Sequence, residues 1–282
     1  MGKGRGRLFA GAAFALLSAL VVLGFWLTRP KPDDRPSFAV STSLLHAALH
    51  DLYGDKALVH VIVPPGACPG HFDMKPHDLA RLSDSDLILI HDFQEPLRDK
   101  LAASRLQLAP LAMIAERGSL TTPPGYKRLL TAVAREVEER VPGLKADHGA
   151  ALSAALSRVD RAEAEAAKKQ KGRISGLRVA AAHFQAEFCR YWGAEVVAEI
   201  PPPGDLSARG LAEIMEQARA GRVQAVVGNA QSGQKEFEVM ADRLGVPLLM
   251  LSNFPEEGAG APSYQRLLHS NLELLADGVP HD

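Results

Sequence analysis

The chain has 282 residues, of which 46% are hydrophobic and 23% charged, with a formal net charge of −1. This is the composition of a folded globular protein with enough residues for two cores, since domains commonly contain about 100–150 residues. The near-neutral charge gives no indication of nucleic-acid binding, and the small aromatic fraction, 6%, argues against a carbohydrate-binding or base-stacking site.

The N-terminal segment predicts export and attachment to a membrane. Residues 1–7 are basic, and the uncharged run 8–28 reaches the length of about 20 residues that a membrane-spanning helix needs. The charge bias predicts a cytoplasmic N-terminus. Residues 24–28 match a signal-peptide cleavage site poorly and no cysteine follows them to accept a lipid, so an uncleaved anchor is favoured over a cleaved signal peptide. A stiff, Pro-rich charged linker extends to residue 36.

The folded region begins with two strands and a helix. Residues 38–40 predict a strand, and a serine or threonine at 41–43 caps a helix that runs to about residue 52. Residues 58–63 predict a buried strand. His46 and His50 lie four apart on the helix, but no partner motif accompanies them, and we interpret them as surface or packing histidines rather than a metal pair.

The loop after the second strand carries the strongest candidate for chemistry. Pro64, Pro65 and Gly66 end the strand, and Cys68 and His71 follow, three residues apart. Open α/β sheets place their ligand crevices at this edge, and a thiolate with an imidazole suits a transition metal. The same pair could serve a Cys–His hydrolase, but no helix N-terminus lowers the thiol pKa beside these prolines, so an enzyme is disfavoured.

The remaining chain continues the alternation of strands and helices. Residues 87–90 predict a strand that ends at His91, and residues 126–171 predict two helices interrupted at 142–143. His183 stands at the carboxyl end of a strand predicted over 177–182, with Glu187 four residues further on. The later predicted strands are 193–200, 223–227 and 247–251, and the later predicted helices are 185–192, 208–220 (capped by Ser207), 234–244 and 264–275. His148 and His269 are predicted to be exposed.

Several of these blocks resemble the metal-binding solute receptors of zinc and manganese ABC importers, the helical-backbone periplasmic binding proteins. The resemblance is carried by Pro-Pro-Gly-Ala-x-Pro-x-His-aromatic at 64–72, Pro-x-Asp-Leu at 76–79, Asp-Leu-Ile-Leu at 86–89, and the His183 block that continues to Gly-x-Glu-Val-Val at 193–197. It implies an α/β fold with two lobes, each with a mostly parallel sheet flanked by helices, joined by a long backbone helix. The implied segments are an anchor and linker (1–36), an N-terminal lobe (37–125), a connecting helix (126–172) and a C-terminal lobe (173–282).

The resemblance also implies a site between the lobes. His71 and His183 would bind the metal, with Cys68 and His91 completing its ligands, although His91 could equally be a gate or a hydrogen-bond partner of a ligand. The sequence departs from the family pattern at three places. Gly70 takes the usual place of the loop histidine, no histidine occurs between His91 and His148, and amides (Asn229, Asn253) stand near two family acids. The thiolate of Cys68 would then supply the missing negative charge.

The function implied is that of an extracytoplasmic receptor, periplasmic or at the cell surface and tethered by residues 8–28, that delivers a divalent metal to an ABC permease. A His/Cys ligand set favours zinc over manganese. The alternative is a protein of the same fold that acts as an adhesin or partner-binding module without metal transport. A Cys68–Cys189 disulfide is disfavoured, because it would join the two halves across the cleft.

Overall fold

The computed structural model describes residues 33–63, 82–103, 107–115, 117–202, 204–256 and 260–279. The predicted anchor at 8–28 and the loop that carries Cys68 and His71 lie outside these ranges. Pro36–Asp282 is one of two compact units, and of the other, Met1–Arg35, only the last three residues are described. There, the Arg35 guanidinium lowers the pKa of Asp33 to about 2. Among the described helices, none has the length and apolar character needed to cross a membrane.

Two four-stranded parallel sheets organise the compact unit, with the orders β2-β1-β3-β4 and β6-β5-β7-β8. The strands are β1 (Ser37–Val40), β2 (Leu58–Val61), β3 (Leu87–His91), β4 (Leu111–Ile114), β5 (Arg178–Ala182), β6 (Glu195–Ile200), β7 (Ala225–Asn229) and β8 (Leu248–Leu251). Parallel neighbours need crossover connections, which the helices supply. The predicted fold class, two lobes of parallel α/β structure, is confirmed.

The α-helices of the described residues flank these sheets. They are α1 (Ser43–Tyr53), α2 (Glu95–Ala103), α3 (Pro123–Arg140), α4 (His148–Ile174), α5 (His183–Tyr191), α6 (Ala208–Ala220), α7 (Lys235–Leu244) and α8 (Tyr264–Asp277). The predicted interruption at 142–143 is a 3₁₀ turn, Pro142–Asp147, between α3 and α4. Helix α3 begins three residues earlier than predicted, because Thr122 caps it and a proline suits its first turn.

The core joins the two lobes through the connecting helices. One cluster of buried side chains runs from Phe38 in the first sheet through α3 and α4 to Val179 in the second. At its centre Tyr126 and Tyr264 stack with ring centroids 3.8 Å apart. The Tyr126 hydroxyl donates to Asp51 Oδ2 at 2.7 Å, so a fully buried phenol links α3 to α1. Burial raises the pKa of Asp51.

The structure shows how far the side chains of His148, His269 and Cys189 are exposed to solvent. The prediction that His148 is exposed is wrong, because its side chain is only 11% exposed and bonds to the Tyr53 hydroxyl at 3.2 Å. His269 is half-buried rather than exposed. Cys189 is a free, fully buried thiol, and burial raises its pKa to about 12.

Candidate metal-binding cleft

A cavity of about 630 Å³ lies where the carboxyl end of the second sheet meets the first lobe and the segment before α3. Leu44 and Phe93 line it from the first lobe, and Gly118–Thr121 line it from the connecting segment. The second lobe contributes the largest share, which includes His183, Phe184, Glu187, Arg190, Glu199, Asn229 and Asn253. Its position matches the general rule that open α/β sheets bind ligands outside the carboxyl ends of their strands.

His183 enters this cavity because it is the first residue of α5, directly after β5. Its Nδ1 lies 2.7 Å from Glu199 Oε1, and Arg190 Nη2 donates to Glu199 Oε2 at 2.8 Å. The Arg190 hydrogen bond, with a further contribution from His183, lowers the pKa of Glu199. The His183 side chain is 55% exposed. An imidazole held in this way can accept a metal ion at Nε2.

Glu187 lies one helical turn after His183 and also lines the cavity. Its Oε2 accepts a hydrogen bond from the Ser119 backbone N–H at 2.7 Å. The second lobe is thereby bonded to the segment that leads into α3. A side chain at Gly118 would crowd this carboxylate, because its Cβ would stand 2.8 Å from Oε1.

A cluster of carboxamides forms another part of the second lobe's wall. Gln185 Nε2 donates to Asn229 Oδ1 at 3.1 Å and to Asn253 Oδ1 at 2.9 Å. Asn253 Nδ2 donates to the same Asn229 oxygen at 3.0 Å. The side-chain oxygens of Asn229 and Asn253 therefore already accept hydrogen bonds from neighbouring amides. The cluster is electrically neutral, and it supplies no negative charge to a cation.

His91 ends β3 and is fully buried. Its Nε2 lies 2.8 Å from Thr42 Oγ1, and its backbone N–H donates to Gln94 Oε1 at 2.9 Å. The imidazole stacks on Phe93 with ring centroids 5.0 Å apart. Phe93 lines the cavity, and His91 packs against the ring of Phe93.

The remaining histidines and the cysteine that the sequence analysis considered are either outside the described residues or lie elsewhere. Cys68 and His71 lie outside the described residues. His46 and His50 line a different cavity of about 390 Å³, together with His60. In the ranges that the structure describes, no three side chains of His, Cys, Asp or Glu are arranged to hold a metal ion.

Sequence reasoning missed Glu199, which bonds to His183, and Arg190, which donates to Glu199. Arg190 follows His183 by two helical turns, and this spacing is a signal that the sequence contains. Glu199 carried no comparable signal, because an irregularity in β6 decides which face of the sheet its side chain takes.

Comparisons with known proteins agree with this fold. The model of the family described as "ZnuA: Zinc-uptake complex component A periplasmic" matches residues 39–278. A zinc-bound deletion mutant of ZnuA is similar at 21% identity and a TM-score of 0.71, over 88% of this chain and 100% of that one. A search of curated proteins finds no match.

Two further solved structures share the fold at lower identity. The periplasmic zinc-binding protein TroA from Treponema pallidum is 12% identical, with a TM-score of 0.72 over 88% of this chain and 100% of that one. A mutant of the laminin-binding adhesin Lmb from Streptococcus agalactiae is 17% identical, with a TM-score of 0.70 over 87% and 100% of the two chains.

Proposed function

The chain belongs to the family of periplasmic zinc-uptake component A proteins, and on that premise we propose that it captures a divalent transition metal between its lobes and delivers it to an ABC permease. Zinc is the favoured ion, with manganese second. The family is one of binding components, and we assign the chain no enzymatic activity. Tethering of the receptor to the membrane by residues 8–28 is part of the same proposal.

The observation that carries the proposal is the arrangement of His183 in the interlobe cavity. A carboxylate bonds its Nδ1 at 2.7 Å, and its half-exposed ring lines the space between the lobes. Histidines that bind metals commonly bond their second ring nitrogen to a carboxylate in this way, because the bond fixes the tautomer and the ring orientation.

The proposed ligands come from both lobes. His71 and His183 are the two histidine ligands, and the thiolate of Cys68 supplies the negative charge that the amides near the cavity lack. A set of imidazoles and a thiolate suits the tetrahedral coordination and the softness of zinc better than those of manganese. His91 is the fourth candidate. To bind the ion through Nε2, it would have to give up the contact of that nitrogen with the Thr42 hydroxyl.

The direct test is the metal content of the full-length chain, purified in detergent, measured by mass spectrometry. The parent is expected to carry about one zinc ion per chain, as a single mononuclear site would. His71→Ala and His183→Ala are each expected to lose it. His50→Ala is the matched control, because this exposed histidine lines the other cavity. Zinc retained by His183→Ala would refute the assigned site.

A second candidate function is that of an adhesin or partner-binding module with the same fold. It is favoured by the neutral amide cluster, and by the lack of a three-ligand group among the residues placed by the structure. Titration of the parent chain with zinc and with manganese separates the two candidates. A parent that takes up neither ion would favour a protein partner as the ligand.

A further inference from the structure

We propose that Glu199 is the positioning residue for the metal, because it holds His183 with Nδ1 as hydrogen-bond donor and so commits Nε2 to the ion. The inference rests on the proposed function. It adds that Glu199 fixes the tautomer and orientation of the His183 imidazole in the metal-free protein. Arg190 completes the arrangement by holding the other oxygen of the same carboxylate.

The contacts divide the Glu199 carboxylate between two partners on one helix. Oε1 lies 2.7 Å from His183 Nδ1, and Oε2 accepts from Arg190 Nη2 at 2.8 Å. The two partners are seven residues apart on α5, about two turns, and therefore face the same side of the helix. The carboxylate is fixed at both oxygens, so it offers His183 one oxygen in one orientation.

The chemistry of the contact selects the tautomer. An ionised carboxylate can only accept hydrogen bonds, so a bond to Nδ1 requires that the proton be on Nδ1. A neutral imidazole has one proton on its two ring nitrogens, and Nε2 then carries the lone pair. Because metals bind neutral imidazole through that lone pair, Glu199 prepares His183 for coordination at Nε2.

An irregularity in β6 brings Glu199 to this position. In the pairing with β5, Val196 lies opposite Val179. The next pair in the register is Ala198 with Ala180, which leaves Val197 as an extra residue, a β-bulge. Side chains alternate between the two faces of a strand, and one extra residue inverts the faces of all residues beyond it.

The side-chain packing agrees with this inversion. Val197 and Ala198 are consecutive in sequence, yet both pack in the cluster beneath α6 and α7. Glu199 is therefore turned to the opposite face, opposite Ala181 and on the side of α5. Gly221 makes room for the side chain of the bulged residue. A Cβ at Gly221 would stand 2.2 Å from Val197 Cγ1, so only glycine fits at this position. Without the bulge, Glu199 would face away from His183.

The competing interpretation is an ordinary surface ion pair with no effect on the ion. Glu199 and Arg190 are 36% and 52% exposed, and ion pairs at such exposure contribute little to stability. Loss of Glu199 is therefore expected to leave the fold intact. For this reason, the test measures the tautomer and the metal affinity rather than stability.

The experiment uses full-length chain with ¹⁵N-labelled histidine, and His183→Ala to assign the His183 signals. In the metal-free parent, NMR is expected to show His183 protonated at Nδ1. In Glu199→Ala, the spectrum is expected to shift toward the Nε2–H form, and the zinc affinity, measured by competition with a chelating dye, is expected to fall about 10- to 100-fold. Glu199→Gln retains an acceptor oxygen and is expected to lose less affinity than Glu199→Ala.

Glu195→Ala is the matched control, because it removes an exposed carboxylate from the same strand. It is expected to change neither readout. An unchanged tautomer and unchanged zinc affinity in Glu199→Ala would overturn the inference. A parent that binds no zinc would refute the proposed function instead, and the tautomer in metal-free chain would then decide by itself whether Glu199 fixes His183.

Discussion

Substitution of Gly118 by alanine tests the bond between the second lobe and the segment that precedes α3. Gly118 has a φ of +74°, in the left-handed region, and its missing Cβ leaves room for the Glu187 carboxylate. An alanine Cβ would lie 2.8 Å from Oε1 and 2.9 Å from Oε2, so the carboxylate must move. That movement breaks its 2.7 Å bond with the Ser119 N–H.

The expected loss of stability has two parts. A left-handed conformation costs an L-residue about 1–2 kcal/mol. The bond from the Ser119 N–H to a charged acceptor would be worth about 1.5–3 kcal/mol in general, and about 1 kcal/mol here because Glu187 is exposed to solvent. Gly118→Ala should therefore lower the free energy of unfolding by about 2–3 kcal/mol, and Glu187→Ala by about 1 kcal/mol.

A double-mutant cycle measured by urea unfolding checks this reasoning. The bond can be lost only once, so Gly118→Ala with Glu187→Ala should be no less stable than Gly118→Ala alone, with a coupling of about 1 kcal/mol. Gly176→Ala is the control, since its φ is +80° and no atom lies within 4 Å of its Cβ position. It should show the cost of the backbone conformation alone. Strict additivity of the two substitutions would refute the proposed crowding.

Three further predictions concern packing, charge and reactivity. Gly221→Ala should lower the free energy of unfolding by about 1–3 kcal/mol through overpacking against Val197, and Val197→Ala in the same chain should restore part of it in urea unfolding. Tyr126→Phe removes a hydrogen bond to the Asp51 carboxylate and should cost about 1–3 kcal/mol at pH 7. Burial raises the pKa of Asp51, whereas the Tyr126 hydrogen bond favours the ionised carboxylate and opposes that rise. The stability that this bond contributes is present where Asp51 is ionised and is lost as the pH falls through its folded pKa, so the Tyr126→Phe cost should shrink in acid. The Cys189 thiol, with a pKa of about 12, should resist alkylation at pH 8 until urea unfolds the chain, as site mapping by mass spectrometry would show; rapid labelling of native protein would contradict its burial.

The positions of most strands and helices followed from local sequence. Ser207 was predicted to cap the helix 208–220, and its Oγ accepts from the Gly210 N–H at 3.0 Å. The interruption at 142–143 was equally readable, because proline and glycine act on the backbone where they stand. His183 was placed at the end of a strand by the same local reasoning, and the structure finds it there, lining the cavity. Its role as a metal ligand stays a prediction.

The sequence by itself determined the parallel α/β class, the family resemblance and the candidate histidines, because periodicity, caps and motifs depend on near neighbours in the chain. Only the tertiary structure decided what surrounds those histidines. Glu199 reaches His183 across 16 residues through a bulge, and Gln185 meets Asn253 across 68. His148 bonds to the hydroxyl of Tyr53, 95 residues away. These contacts depend on strand register and on packing between distant elements, which no local pattern of residues specifies.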